Sequence, residues 1–134
     1  MHTLKDPQRT AIFLPLLLSL LIAAPAARAE TGALQPTLLS MDFYGSITQA
    51  QPGDQVTVVD ANGILCGQFT IGQPGRYGFL HVYGDDRATA VDEGAVANER
   101  LTFQLNGAPL QPLPDQDVRW LGDGQKQRVD FTVR

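Results

Sequence analysis

Four carboxylates, Asp85, Asp86, Asp92 and Glu93, fall within nine positions just after Tyr83-Gly84. Calcium takes six to eight oxygens from carboxylates and carbonyls, and an acidic loop of this kind supplies them. The spacing is not that of an EF-hand, which needs Asp-x-Asp-x-Asp-Gly and a closing Glu. A solvated loop that keeps a sheet edge soluble explains the same residues. The other groups with chemistry in them are sparse. After the N-terminal segment His81 is the only histidine, Cys66 the only cysteine and Lys126 the only lysine, and the serines are Ser40 and Ser46. His81 lies in the strand-like run Phe79-Leu-His-Val-Tyr83, and neither serine sits in a nucleophile-elbow context. Catalysis by a histidine base would need a nucleophile and an orienting carboxylate beside it. The aromatics Trp120, Tyr44 and Tyr83 are candidates for stacking against a sugar or touching a partner. Trp120 suits the interior of a β-sandwich better than that role.

The first 29 residues read as an export signal rather than as part of the fold. Lys5 and Arg9 open the segment, an apolar run spans 11–24, and Pro25 precedes the small-residue triplet Ala27-Arg28-Ala29. That order of charged, apolar and small residues marks a cleaved secretory leader. The apolar run is too short for a membrane-spanning helix, which needs about 20 residues. The expectation is cleavage before Glu30 and no membrane attachment afterwards. The protein would then be secreted, periplasmic or held at the cell surface.

The chain carries a net charge of −4. Loss of residues 1–29 removes Lys5, Arg9 and Arg28 but only Asp6, which deepens the charge to −6. An acidic surface argues against nucleic acid and anionic lipid as partners. With Cys66 alone, no internal disulfide forms, so stability rests on the core. Cys66 in the run Ile64-Leu-Cys-Gly-Gln-Phe-Thr-Ile71 is expected to be a buried, small apolar side chain.

What must position these residues is a β-domain. Residues 30–40 show no period and are expected to form a flexible leader. From Met41 onward, short β-rich runs alternate with Gly, Pro, Asn and Asp. Strands are expected at 41–48, 55–60, 64–71, 76–83, 101–105, 118–121 and 127–133. Asn62-Gly63 and Asn106-Gly107 are the dipeptides of tight hairpins. Pro109, Pro112 and Pro114 make 108–116 extended and irregular. Only 91–98, inside the acidic loop, has the makings of a helical turn. Seven short strands with regular turns predict an all-β fold, a single sandwich over 41–134.

The block Gly63-x-Leu65-Cys-Gly67-x-Phe69-Thr-Ile-x-x-x-Gly75-x-Tyr77, followed by Tyr83-Gly-Asp-Asp86, resembles the transthyretin-like, carboxypeptidase regulatory-like (Ig-like) β-sandwich modules of bacterial secreted and surface proteins. Phe43-Tyr-Gly45, Trp120 and Val129-Asp-Phe131 extend the resemblance over 42–134. It implies a module that acts as a spacer, a stabiliser or a binding domain and is not an enzyme. Here it stands without companion modules, which argues against a spacer.

The expected function is therefore a secreted, monomeric, non-catalytic module. It would bind an extracellular protein or polysaccharide, or build part of an envelope assembly, with no cofactor. One alternative is a carbohydrate-binding module stabilised by calcium at Asp85, Asp86, Asp92 and Glu93. Another is a small hydrolase with two carboxylates facing each other across a cleft.

Overall fold

The computed structural model describes residues 32–133; the segment read as a leader peptide lies outside the described residues. The domain is all-β, with eight strands and no helix among the described residues. The strands are β1 (Ser40–Ser46), β2 (Gln55–Val59), β3 (Leu65–Thr70), β4 (Arg76–Tyr83), β5 (Thr102–Leu105), β6 (Ala108–Pro112), β7 (Lys126–Arg128) and β8 (Phe131–Val133). They form one curled sheet in the order β7-β1-β4-β3-β2-β5-β6-β8.

The two ends of that sheet belong to one stretch of chain. β7 runs parallel to β1, with Phe43 opposite Gln127, and β8 pairs antiparallel with β6. Phe131 also bridges Ile47 at the end of β1. Residues 126–133 therefore join β1 to β6 and draw the sheet round a common interior. β2, β3 and β4 follow one another as a meander, and β5 returns by the long acidic loop to lie beside β2. That is Greek-key order.

Several sequence expectations are corrected here. Residues 127–133 do not run as one strand. Asp130 leaves the ladder: its Oδ1 accepts from the Ser46 amide and hydroxyl, both at 2.9 Å, while its own N–H donates to Gln116. Residues 118–121 make only an isolated bridge, Arg119 to Arg100. Residues 108–112 form β6 despite Pro109 and Pro112. An antiparallel ladder uses each N–H toward one neighbour only, and β6 is short enough for the missing donors to be tolerated. Residues 91–98 hold no helix; Ala95 instead bridges Gly84.

The two Asn-Gly pairs behave differently. Asn106 and Gly107 both take positive φ, with Leu105 and Ala108 paired directly across them, a two-residue hairpin as expected. At Asn62-Gly63 the flanking pair is Val59 and Leu65, so the loop has five residues. Asp60 organises it. The Asp60 Oδ1 accepts from Asn62 N–H at 2.8 Å and Ile64 N–H at 2.9 Å. A side chain that mimics a backbone acceptor in this way stabilises a longer turn.

Asp60 is only 4% exposed, and its Oδ2 is buried without a partner. Burial pushes its carboxyl above the usual range, against the pull of the two turn N–H groups; the charges of Glu99 and Asp92 push it further up. A carboxylate whose folded pKa lies above its unfolded pKa favours folding at low pH, and that advantage is lost as pH rises through the folded pKa. Asp60→Asn keeps the accepting oxygen and removes the buried charge. The variant is expected to melt higher than wild type at pH 7, with the gap closing as pH falls toward about 4. Thermal melts across pH check this; a variant that melts lower at neutral pH contradicts it.

The interior is continuous. Met41, Phe43 and Ile47 from β1 and its end meet Val56 and Val58 from β2, and Cys66 from β3. Tyr77, Leu80 and Val82 come from β4, Phe103 and Leu105 from β5, and Phe131 from β8. Cys66 is fully buried as expected, and burial raises its thiol pKa far above the usual range.

Candidate functional site

The outward alternation of β4 slips by one residue at its centre. Tyr77 points in, Gly78 and Phe79 are both exposed, and Leu80 points in again. The pairing with β1 shows the cause. Phe43 lies opposite Leu80 and Gly45 opposite Tyr77, so Gly78 and Phe79 together oppose the single residue Tyr44. This is a β-bulge, which re-aims side chains. It needs glycine at 78: φ is +114° there, and a Cβ would lie 2.5 Å from the Cβ of Tyr44.

The bulge turns two rings to solvent side by side. Tyr44 is 38% exposed and Phe79 54% exposed, with centroids 5.3 Å apart and planes tilted by 58°. Lys126 from β7 places its Nζ 5.4 Å from the Phe79 ring centre, within cation–π range.

A groove of about 580 Å³ opens beside this platform. Tyr44 and Ser46 of β1, Phe69 of β3, Arg76 and Tyr77 of β4, and Arg128 of β7 line it, together with Gln73 from the β3–β4 turn. It exists because β3 and β4 are paired only at Gly67 and Val82 and part toward their turn. Tyr77 is held in place by its hydroxyl, which donates to the Val129 carbonyl at 2.7 Å; burial raises its pKa strongly. At Asp130, partial burial raises the carboxyl pKa, but the Ser46 hydrogen bonds and the Arg128 charge outweigh it and hold the group below its usual range. Asp130 is thus an engaged anion next to the groove. Among the described residues no Asp or Glu lines the groove itself.

The residues singled out from the sequence fall in different places. Trp120 is 5% exposed and donates from Nε1 to the Val82 carbonyl at 2.9 Å. Its ring packs so closely on Gly84 that a Cβ there would lie 2.5 Å away. What little of it is exposed faces a cleft of about 310 Å³ that Asp85 and Asp86 also line, and the rest of the ring takes the interior place favoured for it from the sequence. Tyr83 is half-buried at the end of β4, away from the groove lining. Tyr44 alone of the three reaches the groove.

Three of the four acidic-loop carboxylates are engaged, each by a different donor. Asp85 Oδ1 accepts from the Glu93 N–H, Asp86 Oδ1 from the Ala88 N–H, and Asp92 Oδ2 from the Asn62 amide. Glu93 Oε2 is buried without a partner. Among the described residues no three His, Cys, Asp or Glu side chains are grouped to hold a metal ion. On the outer face His81 hydrogen-bonds Asp42 directly across the strand pair.

Phe79, Arg76 and Arg128 went unseen in the sequence, and Lys126 stood out there only as the sole lysine after the N-terminal segment. One signal for the first was present. An isolated Gly within a strand pattern marks a bulge, and adjacent Phe79-Leu80 cannot both face inward. Arg128 carried no signal, because β7 joins β1 from more than 80 positions away.

No family model, curated protein or solved structure matches this chain.

Proposed function

We propose that this chain is an exported, non-catalytic binding module of the extracellular space or cell envelope. Its fold is read as an Ig-like, transthyretin-like sandwich and its binding surface as the Tyr44–Phe79 platform. The platform carries the reading. A soluble domain gains nothing in stability by turning a phenylalanine outward at a glycine-dependent bulge. Paired exposed aromatics beside a groove are the usual equipment of a recognition surface.

The sandwich reading is supported by the single β3–β4 pair at Gly67 and Val82. It divides the strands into a β7-β1-β4 layer and a β3-β2-β5-β6-β8 layer, each contributing to one interior. The Greek-key order is that of most sandwiches. Export is supported by residues 1–29 alone. The non-catalytic reading is supported by the scarcity of nucleophiles and bases and by a groove lined by arginines and aromatics.

The test is co-sedimentation of the full-length chain with cell-wall and extracellular-polymer fractions of its producer. Wild type is expected to sediment with one of these, and the Y44A/F79A double variant to stay in solution, folded and with its melting temperature lowered only modestly. The fractions should release no new reducing ends or peptides. Equal sedimentation of the variant removes the platform as binding surface, and released product makes the protein an enzyme.

A further inference from the structure

We propose that the groove beside the platform binds an acidic polysaccharide, a chain of sugars carrying uronate carboxylates. The proposal rests on the reading of the protein as a binding module and names what it binds.

Charge is the first argument. The whole chain is acidic at −4, yet Arg76 and Arg128 line this one groove, and Lys126 lies over the adjoining Phe79 ring. The two carboxylates nearest in the strand register are already occupied. Asp130 takes the Ser46 amide and hydroxyl as well as Arg128 Nε at 3.4 Å, and Asp42 takes His81. Arg128 spends only its Nε on Asp130, and the Arg76 guanidinium has no hydrogen-bond partner among the described residues. Two guanidinium forks are therefore left for planar, two-oxygen anions, and a carboxylate is the anion that fits such a fork.

The rings are the second argument. Tyr44 and Phe79 offer exposed apolar faces beside those cations, suited to the C–H face of a sugar ring. A uronate residue combines both features, an apolar ring face and a carboxylate at its rim.

An acidic peptide fits less well. Main-chain addition of a peptide would use the outer edge of β7 or the parted edges of β3 and β4, and neither contact calls on the exposed ring faces of Tyr44 and Phe79. A groove holding two arginines and a glutamine is equally unsuited to the apolar face of a helix. A nucleic acid would bring a like run of charge to the groove, and the oligonucleotide gel separates it from a uronate.

Affinity electrophoresis of the full-length chain decides the matter, in gels containing polygalacturonate, alginate, a neutral β-glucan, polyglutamate or a thymidine oligonucleotide. Retardation is expected with at least one of the two uronates and not with the neutral glucan. It should weaken as salt rises from about 50 to about 500 mM, because exposed charges are screened. The R76Q/R128Q variant should lose affinity by about tenfold or more with only a small change in melting temperature, since the Arg128–Asp130 pair is exposed on the arginine side. Equal retardation by the neutral glucan, or an unaffected R76Q/R128Q variant, overturns the acidic ligand while leaving the binding module standing. Preference for polyglutamate or the oligonucleotide overturns it in favour of that polymer. No retardation in any gel overturns it as well; the binding-module reading then stands or falls by the sedimentation of the Y44A/F79A variant.

Discussion

Replacing Phe103 with alanine is expected to cost about 3–5 kcal/mol, the range for truncating a buried aromatic. Phe103 is buried at the centre of β5 and touches rings from three other strands. It stacks on Phe131 of β8 at 4.7 Å and meets Phe43 of β1 edge-on at 5.2 Å. Tyr77 of β4 completes the cluster at 6.1 Å. These strands come from both ends of the chain and from the middle of the sheet, so the cluster closes the fold. Aromatic pairs of this geometry add about 0.5–1.5 kcal/mol beyond area burial. Since whole domains are stable by only about 5–15 kcal/mol, F103A should shift the urea midpoint far to lower concentration with an unchanged slope. Phe103→Leu, which preserves more of the volume, should lose much less. A loss below about 1 kcal/mol in the alanine variant would mean the four rings do not share one interior.

Replacing Trp120 with alanine is expected to cost a similar amount, about 3–5 kcal/mol, and to reveal its role by contrast with the platform residues. The indole is buried, and it satisfies the Val82 carbonyl inside the domain. Its backbone accepts from Asn98 N–H at 2.7 Å and donates to Glu99 at 2.9 Å, so the chain around it fastens the acidic loop to the sheet. Trp120→Phe keeps most of the apolar volume but leaves that carbonyl unpaired, a cost of about 1–3 kcal/mol. Gly84→Ala should destabilise from the other side, since its Cβ would press into the ring. As the only tryptophan, Trp120 reports on folding of the wild type by its own fluorescence. Y44A/F79A should lose binding at a modest cost in stability; W120A should lose far more stability. Ligand binding lost in W120A at full stability would place the indole at the binding surface after all.

The difference between Trp120 and Phe79 shows where sequence reasoning stops. Both are aromatic residues in β-rich stretches, and neither type nor spacing says which faces water. Trp120 is buried because Gly84, 36 positions earlier, leaves room for its ring. Phe79 is exposed because one extra residue in β4 must be accommodated opposite Tyr44. These are facts of register, and a shift of one residue reverses every side chain in a strand.

Local chemistry determined what could be read without the fold. Alternating β-branched and aromatic residues, broken by Gly, Pro and Asn-Gly, specify an all-β chain, because each strand and turn signal acts within a few residues. The burial of Cys66 followed from its apolar run, and the two-residue hairpin at Asn106-Gly107 from the ease with which those residues take positive φ. Strand pairing was decided only in three dimensions. Residues 126–133 reach β1 and β6 through contacts far apart in sequence, and that closure splits the last strand at Asp130, gathers the four rings around Phe103 and brings Arg128 beside Arg76. The candidate site is a product of that closure. Its arginines and aromatics come from separate strands, and it is the pairing energy of the whole sheet, not any local pattern, that brings them to one groove.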